Sequence, residues 1–280
     1  MKNINNFAKE IRVKSADMLL NMGYGHLGAS FSIIETLAAL YSGELMKFDP
    51  KNPKMEDRDW FVLSKGHGAT SYYATLSLLG YFDDSILYTL NHNGTSLPSH
   101  PDRLKVVGVD ATTGSLGQGV SQAVGIAKGL KIQNKNNRVF SIIGDGEANE
   151  GQVFEAAQFA VSKKLDNFVL YIDDNKKQLD GTTDEISIHY NFKNVFEALG
   201  FDAVDVDGAD AHAILDATQN LLAKQNGKPK CIVLDTVKGQ GIEYFAELKD
   251  NHHVRFTDSE KELLAEAIAT MKEEVNNGNA

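Results

Sequence analysis

Gly144-Asp145-Gly146-Glu147-Ala148-Asn149-Glu150-Gly151 follows an apolar run and opens an amphipathic one. Glycines flanking a carboxylate at such a junction let a ligand come close to the backbone. The free N–H groups of a starting helix attract an anion. Asp145 would repel that anion unless a divalent cation stood between them, and magnesium takes one or two carboxylates together with phosphate oxygens. Taken alone, the segment reads equally well as an Asp-Gly turn. The next apolar run, Phe168-Val169-Leu170-Tyr171-Ile172, ends in Asp173-Asp174-Asn175. Asn175 stands thirty positions after Asp145, and one strand–helix–strand unit takes about 30 residues. The spacing therefore puts a carboxylate and an amide oxygen, both hard ligands, on adjacent strand ends where they can share one magnesium ion. The alternative is that Asp173-Asp174-Asn175 only caps a strand.

Positioning two such tips requires strands buried on both faces. Val139 to Ile143, Phe168 to Ile172 and Ile232 to Leu234 are continuous apolar runs rich in β-branched residues, as such strands demand. Helical patterning lies between them, with Val153, Ala156, Ala157, Ala160 and Val161 on one face of residues 147–163. Ile214, Ala217 and Leu221 share a face of residues 210–225. Upstream, residues 3–22 read as a helix with Phe7, Ile11 and Leu19 on one face, broken at Gly23-Tyr24-Gly25-His26. Residues 31–45 resume the helical pattern. A short strand, Trp60 to Leu63, precedes Ser64-Lys65-Gly66-His67-Gly68 and another helix. Val106 to Val109 is a short apolar run ahead of Gly114 to Gly119 and a helix reaching about Ile132. Trp60, Phe61 and the phenylalanines read as core, and the acidic run Glu260 to Glu274 as the solvated face of a last helix. Alternating strand and helix predicts an α/β fold, a parallel sheet flanked by helices. No internal repeat and no long Pro/Gly/Ser linker divides the chain, so residues 1–280 are expected to form a single domain.

Composition closes off other classes. The net charge of −10 argues against nucleic-acid binding, whose footprint is basic. The lone cysteine, Cys231, excludes a disulfide framework and any CxxC zinc or redox motif. The N-terminal residues carry charges throughout, with no apolar core of a targeting segment. The stretch from Met18 to Ile34, though uncharged, holds Asn21, His26, three glycines and two serines, too polar for a membrane span. A cytoplasmic protein without a membrane partner is the expectation.

The GDG segment followed by about thirty residues and a strand-end asparagine resembles the thiamine-diphosphate signature. Rival phosphate motifs fail: Asn149 stands where GxGxxG needs its third glycine, and no Walker A sequence is present. Histidines narrow the family. They stand in four loops, flanked by glycine, proline or each other: Gly23 to Ser30 (GYGHLGAS), Leu63 to Ala69 (LSKGHGA), Pro98 to Asp102 (PSHPD) and His252-His253. Any one histidine alone reads as a surface or satisfied core residue. With Gly114 to Gly119 (GSLGQG) and GDG in the same order, the series closely resembles transketolase over nearly the whole chain.

The resemblance implies a thiamine-diphosphate-binding fold that transfers a two-carbon ketol unit from a ketose phosphate to an aldose, using thiamine diphosphate and Mg2+, or Ca2+ or Mn2+ in its place. It implies Asp145, Asn175 and the Lys177 carbonyl as metal ligands. His67, Gly114, Leu116, Gly144, Gly146, Glu147 and Asn175 fall to the cofactor, with Gly146 as a backbone donor to the diphosphate. His26 and His100 match histidines contacting sugar oxygens, and Glu150 an acidic residue at the subunit interface. A last catalytic histidine is expected at His253, with His252 as the alternative, because the family has a histidine-glycine pair near a proline where this chain reads Asn251-His252-His253-Val254-Arg255. Ser99 before His100 and Leu27 after His26 also depart from the pattern. Lys238, in Val237-Lys238-Gly239, reads equally as a diphosphate contact or a solvated loop lysine.

Full transketolases are much longer, so the chain resembles the N-terminal, diphosphate-binding subunit of a split enzyme, with its end at Ala280. The glutamate that activates the aminopyrimidine belongs to the domain that follows. Activity is therefore expected only with a separate C-terminal subunit, in a heterotetramer. The alternatives are the alpha subunit of another thiamine-diphosphate enzyme, such as a 2-oxo-acid dehydrogenase, and a non-catalytic paralogue.

Overall fold

The computed structural model describes residues 3–278. Helix α1 (Ile4–Met22) begins where the Asn3 side chain accepts from the Asn5 and Asn6 N–H groups, and it ends at Gly23 in the left-handed region (φ 79°). Strand β1 (Tyr24–Gly25) and helices α2 (Leu27–Phe31) and α3 (Ile34–Ser42) follow. The helix expected over 31–45 is thus shorter, and a separate turn of helix precedes it. The break falls at Ser32, whose hydroxyl donates to the buried Asp173 at 2.7 Å.

Strand β2 (Trp60–Leu63) leads through α4 (Ala69–Leu79) and α5 (Gln118–Ile132) to β3 (Val139–Gly144). Then come α6 (Gly151–Ser162), β4 (Phe168–Asp174), α7 (Thr183–Ile186), α8 (Phe192–Leu199), β5 (Asp202–Asp207), α9 (Ala211–Leu222) and β6 (Lys230–Asp235). Helix α10 (Glu243–Glu247), β7 (Val254–Arg255) and α11 (Asp258–Gly278) complete the described chain.

The main sheet runs β2-β3-β4-β6-β5, with every pair parallel. Its central strands explain the continuous apolar runs. Phe140, Ile142, Val169, Tyr171, Ile232 and Leu234 face a core shared with α1, α3, α4 and α9. Val139, Ile143, Phe168, Leu170, Ile172 and Val233 face a second core under α5, α6 and α8. Alternate side chains thus leave opposite faces of one strand, and each fully buried one contributes ~1.5–3 kcal/mol.

Three local expectations change. Val106 to Val109 lies in turns, its two end valines buried. Residues 147–149 form a 3-10 turn ahead of α6. Phe159 is 42% exposed on the outer side of α6 and is not core. Strand β5 had no apolar run to announce it, because Asp202-Ala-Val-Asp-Val-Asp is an edge strand that buries little beyond Val206.

Candidate functional site

Parallel strands all deliver their following loops to one edge, and ligands bind there. Beyond the ends of β2, β3, β4 and β6 lie, in turn, Lys65 and His67, Asp145 to Glu150, Asn175 to Leu179, and Lys238. All of these but Ala148, Asn149 and Lys176 line a common cavity of about 330 Å3, joined by His26, His100, Gly114, Leu116, Gly144 and His252. A larger cleft of about 1100 Å3 opens beside Asp59 and Arg138, at the opposite strand ends. It contains no histidine, so chemistry rather than volume identifies the site.

Strands β3 and β4 are direct neighbours, with Gly144 opposite Asp173 and the Asp145 N–H donating to the Asp173 carbonyl at 3.1 Å. That register brings Asp145 and Asn175 to one rim. The Asp145 carboxylate, 2% exposed, accepts from Thr183 Oγ1 at 2.6 Å and from the Gly146 N–H at 2.9 Å. Asn175 Oδ1 accepts from the Lys177 N–H at 3.2 Å. With the Lys177 carbonyl, these are hard oxygen donors of the kind Mg2+ or Ca2+ takes. Among the described residues no three His, Cys, Asp or Glu side chains form a metal-binding group. A cation here would rest on one carboxylate and neutral oxygens. Gln178, on the same wall, has a buried Nε2 with no hydrogen-bond partner among the described residues, a free donor suited to an anionic ligand.

The histidines converge from distant loops. His26 stands at the centre, with ring centroids 5.7 Å from His67, 5.8 Å from His100, 5.4 Å from His252 and 4.7 Å from His253. A two-residue antiparallel ladder brings the first and last of these loops together: β1 pairs with β7, Tyr24 opposite Arg255 and Gly25 opposite Val254. Gly28 completes the closure. Its N–H donates to the Asn251 carbonyl at 3.1 Å, and a Cβ there would lie 2.4 Å from that oxygen. Gly114, at φ +142°, packs so closely that a Cβ would stand 3.0 Å from the His100 ring. His252 lines the cavity and its Nδ1 lies 3.1 Å from Lys238 Nζ. His253 instead packs against His26 and Tyr24.

Burial sets the charge states. It pulls His26 down to about 4, with His253, His100 and Lys238 adding to the effect. It pulls His252 down to about 3, with Lys238 next in importance. Burial, then Lys65, holds His67 well below its ordinary value, and burial lowers His100. These four rings are therefore neutral at pH 7, each with one donor and one acceptor nitrogen. Burial also lifts Asp145 and Glu147 to about 6 and brings Lys238 down to about 8.

Acid acts on these groups in opposite directions. Below pH 6.5 the unfolded histidines bind protons that the folded ones refuse, so stability is lost down to about 4 for His26 and about 3 for His252. Asp145 and Glu147 bind protons first in the folded state, from about 6 downward, which adds stability. His26 and His252 are displaced further than Asp145 and Glu147, and carboxyls held low by lysines, such as Asp202, lose stability in acid as well. The cofactor-free chain is expected to melt at progressively lower temperature from pH 6.5 to 4.5 in scanning calorimetry. A flat or rising midpoint over that range would contradict the assignment.

Two expected roles look different in three dimensions. The Gly146 N–H is turned to the Asp145 carboxylate. The Glu147 carboxylate is engaged within the protein, by Ser64 Oγ, by the Gly117 N–H at 2.8 Å and by the Gly144 N–H at 3.4 Å. Glu147 thereby ties the Gly114–Gly119 loop to the GDG turn. Lys238, which loop chemistry alone left ambiguous, is 2% exposed and donates to the carbonyls of Lys177 and Gln178 at 3.1 and 3.0 Å. Gln178 lies in no motif, and Asp173 and Lys65, though inside the Asp173-Asp174-Asn175 and LSKGHGA segments, carry no sequence signal of their place in the site. No helix among the described residues is long and apolar enough to cross a membrane.

Residues 4–274 match the family described as transketolase, thiamine diphosphate binding domain. A 6-deoxy-6-sulfo-D-fructose transketolase subunit of Clostridium sp. is 43% identical, and the match covers 95% of each chain. An apulose-4-phosphate transketolase subunit from Actinobacillus succinogenes is 36% identical, over 93% of this chain and 94% of its own. Against the longer transketolase of Dictyostelium discoideum the identity is 35%, over 92% of this chain but 41% of that one. Among solved structures, transketolase from Campylobacter jejuni superposes with a TM-score of 0.86 at 30% identity, covering 99% of this chain and 43% of the other.

Proposed function

The chain belongs to the transketolase family, in its thiamine-diphosphate-binding part, and from that we propose that it is the N-terminal subunit of a two-subunit transketolase using a divalent cation, Mg2+ by preference. The observation that carries this reading is the single cavity in which the GDG turn and Asn175 face four histidines drawn from four loops. The nitrogens of His26, His67 and His100 have no hydrogen-bond partner among the described residues and stand open to a ligand.

Asp145, Asn175 and the Lys177 carbonyl would hold the cation, and with Gln178, Lys238 and His67 they would receive the diphosphate. Bound thiamine diphosphate supplies a carbon nucleophile able to take up and pass on a two-carbon ketol unit. The protein's part is to orient sugar oxygens and move their protons. His26 and His100, neutral at pH 7, can donate to an oxygen as it gains charge and accept the proton back. His253 braces His26 edge-on, while His252 meets the cavity itself. Leu116 and Leu179, 38% and 60% exposed on the cavity wall, offer an apolar rim for the C-terminal subunit to cover. Two relatives of matching length are named for a sulfo-sugar and a sugar phosphate. The substrate class proposed is therefore a ketose with an anionic tail, together with an aldose acceptor.

The test mixes the chain with its C-terminal subunit, thiamine diphosphate and Mg2+, and follows ketol transfer among ketose phosphates, sulfo-ketoses and aldoses. Transfer by the mixture and none by either polypeptide on its own is expected. A mixture that forms a complex yet transfers nothing from any ketose would refute the proposal.

A further inference from the structure

Asn175 is useful to a cation only through its oxygen, yet its amide has two ends of nearly equal shape. Rotated by half a turn, it would present an NH2 group and repel a positive charge. The deciding contact comes from below. Asp173, fully buried, takes the Asn175 Nδ2 on its Oδ2 at 2.8 Å. The same carboxylate accepts from Lys65 Nζ, from Ser32 Oγ at 2.7 Å and from Thr236 Oγ1 at 2.6 Å. An ionised carboxylate only accepts, so only the NH2 end of Asn175 can face it.

We propose that Asp173 is a positioning residue: held by Lys65, Ser32 and Thr236, it clamps the Asn175 amide by its nitrogen and so fixes Oδ1 as the atom that Asn175 offers to the cation. The inference rests on the cation reading above. The Lys65 ammonium, the Ser32 and Thr236 hydroxyls and the Asn175 amide all point donors at the Asp173 carboxylate, which meets them with acceptors only. The clamp draws on α2–α3, β2, β4 and β6 through Ser32, Lys65, Asp173 and Thr236, so the amide's orientation is tied to the whole rim.

The test is a calorimetric Mg2+ titration of the chain with thiamine diphosphate and its C-terminal subunit, with the thermal midpoint recorded for each variant. The double variant K65M/D173L removes both buried charges together and leaves neither unpaired. It retains Asn175 but frees the amide, and at least a tenfold loss of Mg2+ affinity at a retained midpoint is expected. Asn175→Asp supplies a second, independent reading. A carboxylate ordinarily binds Mg2+ better than an amide does, yet beside Asp173 it has no NH2 to give. It is expected to bind Mg2+ at least tenfold more weakly than the wild type. Adding Asp173→Asn returns a donor–acceptor pair and is expected to recover most of that loss. The second pair of variants decides the matter if K65M/D173L fails to fold. Wild-type affinity in K65M/D173L, or tighter binding in Asn175→Asp that Asp173→Asn does not change, would overturn the clamp while leaving the cation site standing. Absence of Mg2+ binding by the wild-type complex would overturn both.

Discussion

Asp145→Ala is expected to remove cation-dependent retention of thiamine diphosphate while leaving the fold intact. The carboxylate is buried, has Asp173 and Asp174 as like-charged neighbours, and is lifted to about 6. Its contribution to folding is therefore small or negative, and the hydroxyl of Thr183 is the main partner left behind. Its contribution to a bound cation is the opposite, since it is the one carboxylate among the proposed ligands. Loss of an outer-shell partner alone typically costs ~10–100-fold in metal affinity, so loss of this ligand is expected to exceed that. Calorimetric titration of thiamine diphosphate at fixed Mg2+, with the C-terminal subunit present, measures the effect. Wild-type affinity in the variant would remove Asp145 from the cation site.

His26→Ala is expected to lower kcat by ~10²–10⁴, the range for one general acid–base group, with thiamine diphosphate affinity changed far less. His26 meets four other imidazoles at centroid separations of 4.7 to 5.8 Å, so no other ring touches as much of the cluster. Burial and its neighbours keep it neutral, the state in which a ring can both give and accept a proton. His100, less buried and facing Gly114, is expected to show a smaller loss within the same range. Steady-state kinetics of the reconstituted pair, paired with cofactor titration, separate the two effects. A His26→Ala enzyme with undiminished kcat, or one whose deficit is entirely weakened cofactor binding, would reassign the residue.

Several features were readable before any fold was known, because they are local. Buried parallel strands must be apolar on both faces, so Val139 to Ile143 and Phe168 to Ile172 announce themselves. A strand–helix–strand unit has a nearly fixed length, so the thirty-residue step from Asp145 to Asn175 places them on neighbouring strand ends. Glycine-rich punctuation marks the loops that must approach a ligand. These signals also carried the family resemblance, which the match over residues 4–274 bears out.

Other features depend on contacts between segments far apart in the chain, which leave no period to read. The β1–β7 ladder joins residue 25 to residue 254 with two residues a side, too few to show a pattern, yet it carries His26 to His252 and His253. That ladder and the Lys238 contact put His252 rather than His253 on the cavity wall. Burial decided Lys238, whose loop sequence fits solvent equally well, and hydrogen bonding turned Glu147 inward to Ser64 and Gly117. Strand β6 lies between β4 and β5 although it follows both in sequence, and this order brings Thr236 beside Asp173. Sequence by itself determined which strand tips carry Asp145 and Asn175 and that they lie side by side. Tertiary structure alone decided which side chains face the cavity and which atoms they present, because rotamer and hydrogen-bond choices are made by neighbours brought in through long-range closure.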